Sequence, residues 1–161
     1  MKENKKSHKT SYDISYAEKT DINEWMKLVD VVKNDFTGLI KEEYEKILLD
    51  NIESKTALCA KVKDKIIGVL LFSVKENILS FLAVHPEYRG IGTATALIRN
   101  MVKKFPKNSN IWVTTYREGD TKGETARILY KKCGFEEGEL IEAFDYPCQK
   151  FVLHLVCVQL F

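Results

Sequence analysis

The chain lacks most of what marks a metalloprotein, a membrane protein or a nucleic-acid binder. Its four cysteines, Cys59, Cys133, Cys148 and Cys157, show no Cys-x-x-Cys spacing, and its histidines are only His8, His85 and His154. Structural zinc needs clustered cysteine and histidine ligands, so no metal site is expected and the thiols read as reduced and mostly buried. The longest apolar stretch, Phe151 to Phe161, is broken by His154 and Gln159 and is too short to span a bilayer. The first residues are charged where a leader peptide would be apolar, so a cytoplasmic protein without membrane attachment is expected. An excess of one charge is also missing. Four of the 25 basic and one of the 23 acidic residues lie in the first ten, so the remainder carries −1. That body has no basic footprint for nucleic acid, and no nucleic-acid partner is expected. The nucleotide loops fail too: a dinucleotide fingerprint needs a third glycine where Thr93, Ala94 and Thr95 follow Gly90-Ile91-Gly92, and no Gly-Lys-Ser/Thr loop exists.

What is present suits one core. At 161 residues the chain is short for two domains, and the reading is a basic, weakly patterned tail over 1–11 followed by a single domain over 12–161. Tyr12 to Ala17 predicts an opening strand, and Asp21 with Glu24 three residues on resembles a capping box. Trp25, Leu28, Val29 and Val32 then recur at helical spacing, as Tyr44, Ile47 and Leu48 do after the turn at Thr37-Gly38. Thr56 to Val62, Ile66 to Val74 and Ile78 to Val84 predict an antiparallel meander. Ala94, Leu97, Ile98, Met101, Val102 and Phe105 form the stripe of a helix stopped by Pro106. Further strands are expected at Ile111 to Thr115, Phe135 to Ile141 and Lys150 to Val158, with a helix from Thr121 to Cys133. The order is β-αα-βββ-α-β-α-ββ, a mixed α/β sheet, and the exposed final strand would suit a homodimer.

The junction ahead of the Ala94 helix has its own chemistry. In Arg89-Gly90-Ile91-Gly92-Thr93-Ala94 the glycines allow positive φ and close backbone approach. The helix that follows offers unpaired N–H groups and the positive end of its dipole to a phosphate.

These residues resemble the GNAT superfamily of acyl-CoA-dependent N-acetyltransferases. Arg89, Gly92 and Ala94 fill the family's Gln/Arg-x-x-Gly-x-Gly/Ala signature, led in by Ala83-Val84-His85-Pro86-Glu87-Tyr88. Ala126-Arg127-Ile128-Leu129-Tyr130-Lys131-Lys132-Cys133-Gly134-Phe135 is similar to its A-x-x-L-Y-x-x-x-G-F helix ending. The resemblance implies a GNAT-like fold, acetyl-CoA as co-substrate and an amine acceptor as partner. It implies that Leu82 and Val84 offer main-chain groups to the pantetheine and acetyl oxygen, and that Arg89, Gly90, Ile91, Gly92, Thr93 and Ala94 wrap the pyrophosphate. Tyr130 falls on the family tyrosine that protonates the departing thiolate, a role suited to a phenol with a pKa near ten. The structural alternative has Tyr130 packed on the core face with Ala126, Leu129 and Cys133.

The chain also departs from the pattern. Gly123 stands where many members carry a cofactor-contacting asparagine, with Lys122 and Arg127 as substitute phosphate contacts or, alternatively, solvated helix-end charges. Ser80 stands where many carry a glutamate base, which leaves Asp35, Glu118 and Asp120 as guesses. Glu136, Glu137, Glu139, Glu142 and Asp145 read either as an acidic lip for a cationic amine or as a solvated strand. Trp25 and Phe36 read as core. The activity implied is direct acetyl transfer to a primary amine of a small molecule or peptide. An acyl-CoA-binding module with little catalysis and a protein or aminoacyl-tRNA acetylase are the rivals.

Overall fold

The computed structural model describes residues 10–156. Its elements are β1 (Asp13–Tyr16), α1 (Ile22–Val32), α2 (Lys41–Glu53), β2 (Ala57–Val62), β3 (Lys65–Ser73), β4 (Ile78–Val84), α3 (Thr93–Val102), β5 (Asn110–Tyr116), α4 (Glu124–Lys132), β6 (Glu136–Ala143) and β7 (Tyr146–His154). This is the expected order. The seven strands form one sheet, β1-β2-β3-β4-β5-β7-β6, antiparallel throughout except where β4 meets β5.

Both faces of β3 are buried, which explains its unbroken apolar run. Ile66, Val69 and Leu71 pack against α1 and α2 with Trp25, Val29 and Leu48, while Ile67, Leu70 and Phe72 pack on the opposite side with Leu97, Ile98, Tyr130 and Phe151. The Trp25 indole donates to the Tyr44 hydroxyl at 2.9 Å, so that buried ring leaves no polar atom stranded. Fully burying the Leu and Ile side chains of α3 contributes about 1.5–3 kcal/mol each. A bulge in the β3–β4 ladder skips Ser80, so Leu79 faces the α3 side while Phe81 and Ala83 face α1 and α2.

Several expectations need correction. The capping box lies three residues earlier than expected, between Glu18 and Asp21, and Glu24 bonds Lys27 instead. Asp21 also holds Lys61 of β2, fixing the start of α1 to the sheet. Helix α3 ends at Val102; Phe105 stays buried because Lys104 and Phe105 tighten the last turn with amide bonds to Met101 and Val102. The first turn expected of α4 is a 3₁₀ turn, Thr121–Gly123. The final strand is not exposed. Strand β7 pairs with β5 on one side and β6 on the other, joined to β6 by a two-residue turn with Phe144 and Asp145 at positive φ. The reason given for a homodimer therefore falls.

Residues 1–9 of the expected tail, Cys157 and the end of the expected last strand lie outside the described residues. Cys59 and Cys148 are buried and unbridged, Cys133 is half-buried, and burial pushes the Cys59 thiol up to about 11. Among the described residues no helix is long and apolar enough to cross a membrane, and no three His, Cys, Asp or Glu side chains converge to hold a metal ion.

Candidate active site

Strands β4 and β5 run parallel but pair in register only at Ile78 and Trp112, and the Trp112 amide donates to the Asn77 carbonyl at 2.9 Å. Beyond that point they part. The amide of His85 donates to the Ile67 carbonyl at 2.8 Å. Strand alternation then turns the main-chain groups of Ala83 toward β3 and those of Leu82 and Val84 toward the opening beside β5. The two residues singled out in the sequence thus line a gap with backbone donors and acceptors.

The glycine turn closes one end of this gap. Gly90 and Gly92 take φ of +81° and +85°, and a Cβ added at either would meet nothing within 4 Å. Their spacing answers a conformational need and leaves an open cradle. None of the amides from Gly90 to Thr95 donates to another described group, so the start of α3 points free donors outward. Thr93 is buried with its Oγ1 unpartnered, whereas Ile91 is exposed and Ala94 half-buried. Arg89 turns back: its Nε donates to the Val84 carbonyl at 3.2 Å, and Nη2 lies 3.7 Å from the Asp35 carboxylate. Free amides, an open cradle and an orphaned hydroxyl fit a pyrophosphate-bearing cofactor.

Tyr130 stands on α4 with its ring against Phe135 at 5.4 Å and Phe151 at 6.2 Å. A Schellman ending fixes it: Phe135 N donates to the Tyr130 carbonyl and Gly134 N to that of Lys131, as the glycine's position suggested. The ring packs as the structural alternative expected, and its hydroxyl makes no hydrogen bond among the described residues. Burial raises its pKa above the ordinary tyrosine value, so the proton stays on at neutral pH.

One side-chain reading is overturned. Arg127 faces neither phosphate nor solvent. It is buried, donating to the Tyr116 carbonyl at 3.0 Å, Gln149 Oε1 at 2.7 Å and Glu137 at 2.8 Å, with its guanidinium over the Phe151 ring. In the acidic run Glu137 pairs with Arg127 and Lys131 and Glu139 lies 4.0 Å from Lys150, while all five carboxylates stay exposed, as the solvated-strand alternative expected. The run also forms the outer edge strand, two strands from the gap. Asp120 accepts from the Tyr146 hydroxyl and the Lys122 amide, which hold its pKa below the usual carboxylate range and make it a poorer base. Trp25 is core as expected, and Phe36 is half-buried against Phe81 at 4.4 Å.

Gly123 has a steric explanation. A Cβ there would lie 2.7 Å from the Cβ of Tyr116, so an asparagine cannot stand in its place without moving that residue. Tyr116 and Tyr146 form a pair of rings that the sequence reading missed. The signal was the alternation of β5, where Ile111, Val113 and Thr115 are buried and Trp112, Thr114 and Tyr116 face the other side.

A family model described as an acetyltransferase (GNAT) domain matches residues 53–137. The chain belongs to the GNAT acetyltransferase family. It is an acyltransferase by that membership, and the matched segment contains the glycine turn and Tyr130. No curated protein sequence gives a significant match. Among solved structures, the chain is similar to a GNAT-family acetyltransferase from Bacillus cereus ATCC 10987, at 18% identity and a TM-score of 0.70 over 91% of this chain and 99% of that one. It is similar to Ard1 from Thermoplasma volcanium, at 14% identity and a TM-score of 0.71 over 90% and 98%. Arabidopsis thaliana Naa50, in complex with the bisubstrate analogue CoA-Ac-MVNAL, matches at 20% identity and a TM-score of 0.69 over 89% and 98%. At these identities the likeness establishes a shared GNAT fold.

Proposed function

We propose that this GNAT protein passes acetyl from acetyl-CoA directly to a primary amine of a small molecule or peptide within a ternary complex. The observation that carries this reading is the opening between β4 and β5, where the main-chain groups of Leu82 and Val84 meet no neighbouring strand and the Val84 carbonyl is met only by the Arg89 side chain. Fixed donors of this kind orient a thioester carbonyl without reorganising as charge develops. Gly90 to Ala94 would hold the pyrophosphate through free amides, with Arg89 adding charge once released from Asp35. The amine nitrogen forms the new bond to the acyl carbon and the carbon–sulfur bond breaks. Tyr130 gives its phenolic proton to the sulfur, and the proton shed by nitrogen returns to the phenolate through water. The bisubstrate analogue on Naa50 supports a peptide among the acceptors to be tested.

The deciding experiment is a thiol-release screen with the full chain and acetyl-CoA across simple amines, polyamines, aminoglycosides and peptides. Amine-dependent CoA release, with the acetyl group recovered on nitrogen, is expected for at least one class. Release at the same slow rate with every amine and with buffer alone would overturn the reading.

A further inference from the structure

Two tyrosines meet at the mouth of the β4–β5 gap. Tyr116 ends β5 and Tyr146 begins β7; their ring centroids are 5.3 Å apart and their planes cross at 82°. Both rings are held. The Tyr116 hydroxyl donates to the Asp35 carbonyl at 3.0 Å and accepts from the Thr37 amide at 2.9 Å, while the Tyr146 hydroxyl donates to Asp120 Oδ2 at 2.7 Å. The α1–α2 connection thereby fixes the first ring, which puts the corner on the opposite side of the sheet from α4 and Tyr130.

The corner already holds a cation. Lys122 Nζ lies 5.3 Å from the Tyr146 ring centroid and 6.0 Å from that of Tyr116. Two aromatic faces at right angles with a carboxylate alongside are the arrangement that attracts a substituted ammonium. Lys122 is exposed on the 3₁₀ turn, and the turn itself is held by its amide bond to Asp120 rather than by the ammonium. The side chain can therefore leave without unmaking the corner.

We propose that the Tyr116–Tyr146 corner binds a cationic nitrogen of the acceptor other than the one acetylated, and that Lys122 fills the corner until the acceptor arrives. The proposal rests on the amine-acceptor reading above. A site that attracts the charged form of a nitrogen works against the neutral form that attack requires, so the nitrogen it holds is not the nucleophile. The acceptor then carries two basic nitrogens, as a diamine or a peptide with a lysine side chain does.

The test begins with tetramethylammonium as probe, titrated into the full chain and followed by NMR. Lys122→Ala should raise affinity for the probe by about fivefold, whereas Lys122→Arg, which keeps a cation in place, should not. Adding Tyr146→Leu to Lys122→Ala should abolish the gain, and adding Tyr146→Phe should keep most of it. Unchanged affinity in Lys122→Ala, or an equal gain for the neutral, similarly shaped tert-butanol, would overturn the proposal. In turnover, a diamine and a lysine-containing peptide are each compared with a twin in which the second nitrogen is replaced by carbon. Whichever source is used should show a higher kcat/KM than its twin. Turnover of monoamines without any gain in probe binding sinks the corner and leaves acetyl transfer standing. Probe binding without CoA release from any amine sinks the acceptor reading instead.

Discussion

Ile78 and Trp112 form the one pair at which β4 and β5 meet in register among the described residues, and everything that identifies this site lies beyond it. Had the two strands stayed paired, the main-chain groups of Leu82 and Val84 would be consumed by the sheet. Because the cradle is made of backbone, its sensitive positions are those that set backbone conformation.

Gly92 is the sharpest of these. Valine there must adopt φ near +85°, a cost of about 1–2 kcal/mol for a side-chain-bearing residue, but its Cβ meets nothing within the protein. Gly92→Val should therefore fold with a somewhat lower Tm and bind acetyl-CoA at least about tenfold more weakly, or roughly 1.4 kcal/mol. Calorimetry on the folded variant decides; affinity equal to the parent's would remove this turn from the cofactor site.

Tyr130 separates chemistry from packing. Its hydroxyl makes no hydrogen bond among the described residues, so Tyr130→Phe should change stability by less than about 0.5 kcal/mol. If the phenol protonates the leaving thiolate, the same change lowers kcat by roughly 10²-fold and leaves acetyl-CoA affinity within a few fold. Since burial raises this pKa, the parent should show no loss of the acid below about pH 10. An unchanged kcat, with the chemical step limiting, would make Tyr130 a core aromatic and nothing more.

The element order and the glycine turn were legible because local pattern determines them. The α3 stripe, the β2–β4 meander and the glycines at 90 and 92 each satisfy a constraint spanning a few residues. Arg127 was misread for the opposite reason: its partners Tyr116, Glu137 and Gln149 lie 10 to 22 residues away, on three different strands. An isolated arginine on a helix looks solvent-facing until tertiary pairing buries it. The acidic run left its two readings open because sequence cannot tell which strand is outermost; β6 is the edge strand and its carboxylates are exposed. The opening at β4 and β5 is a fact of topology. Only the family resemblance, not the spacing, pointed to Leu82 and Val84.

Glu137 offers a test by pH. Lys131, first by its hydrogen bond, and then Arg127 hold this carboxyl below the usual range. A depressed carboxylate pKa stabilises the fold above the unfolded-state value, and that contribution is lost as pH falls through the folded one. Glu137→Gln should accordingly be less stable than the parent at neutral pH, and the difference should shrink as pH falls from the ordinary carboxylate value of about 4.3 and close once the folded carboxyl is protonated. Urea unfolding at neutral and acid pH checks it; a difference that persists in acid would mean Glu137 acts through packing rather than charge.

Gly123 tests whether a departure from the family pattern is enforced. Its φ of −103° and ψ of −8° are open to any residue, so the constraint is space alone: a Cβ would stand 2.7 Å from the Tyr116 Cβ and 3.4 Å from its Cα. Tyr116 cannot yield cheaply, being tied to Asp35 and Thr37 through its hydroxyl and to Tyr146 through its ring. Gly123→Asn should therefore cost about 1–3 kcal/mol, and Gly123→Ala nearly as much, because the first carbon causes the clash. Denaturant unfolding of the two variants measures it. If asparagine is tolerated while alanine is not, its amide has found a partner that outweighs the crowding, and Tyr116 is less fixed than its hydrogen bonds indicate.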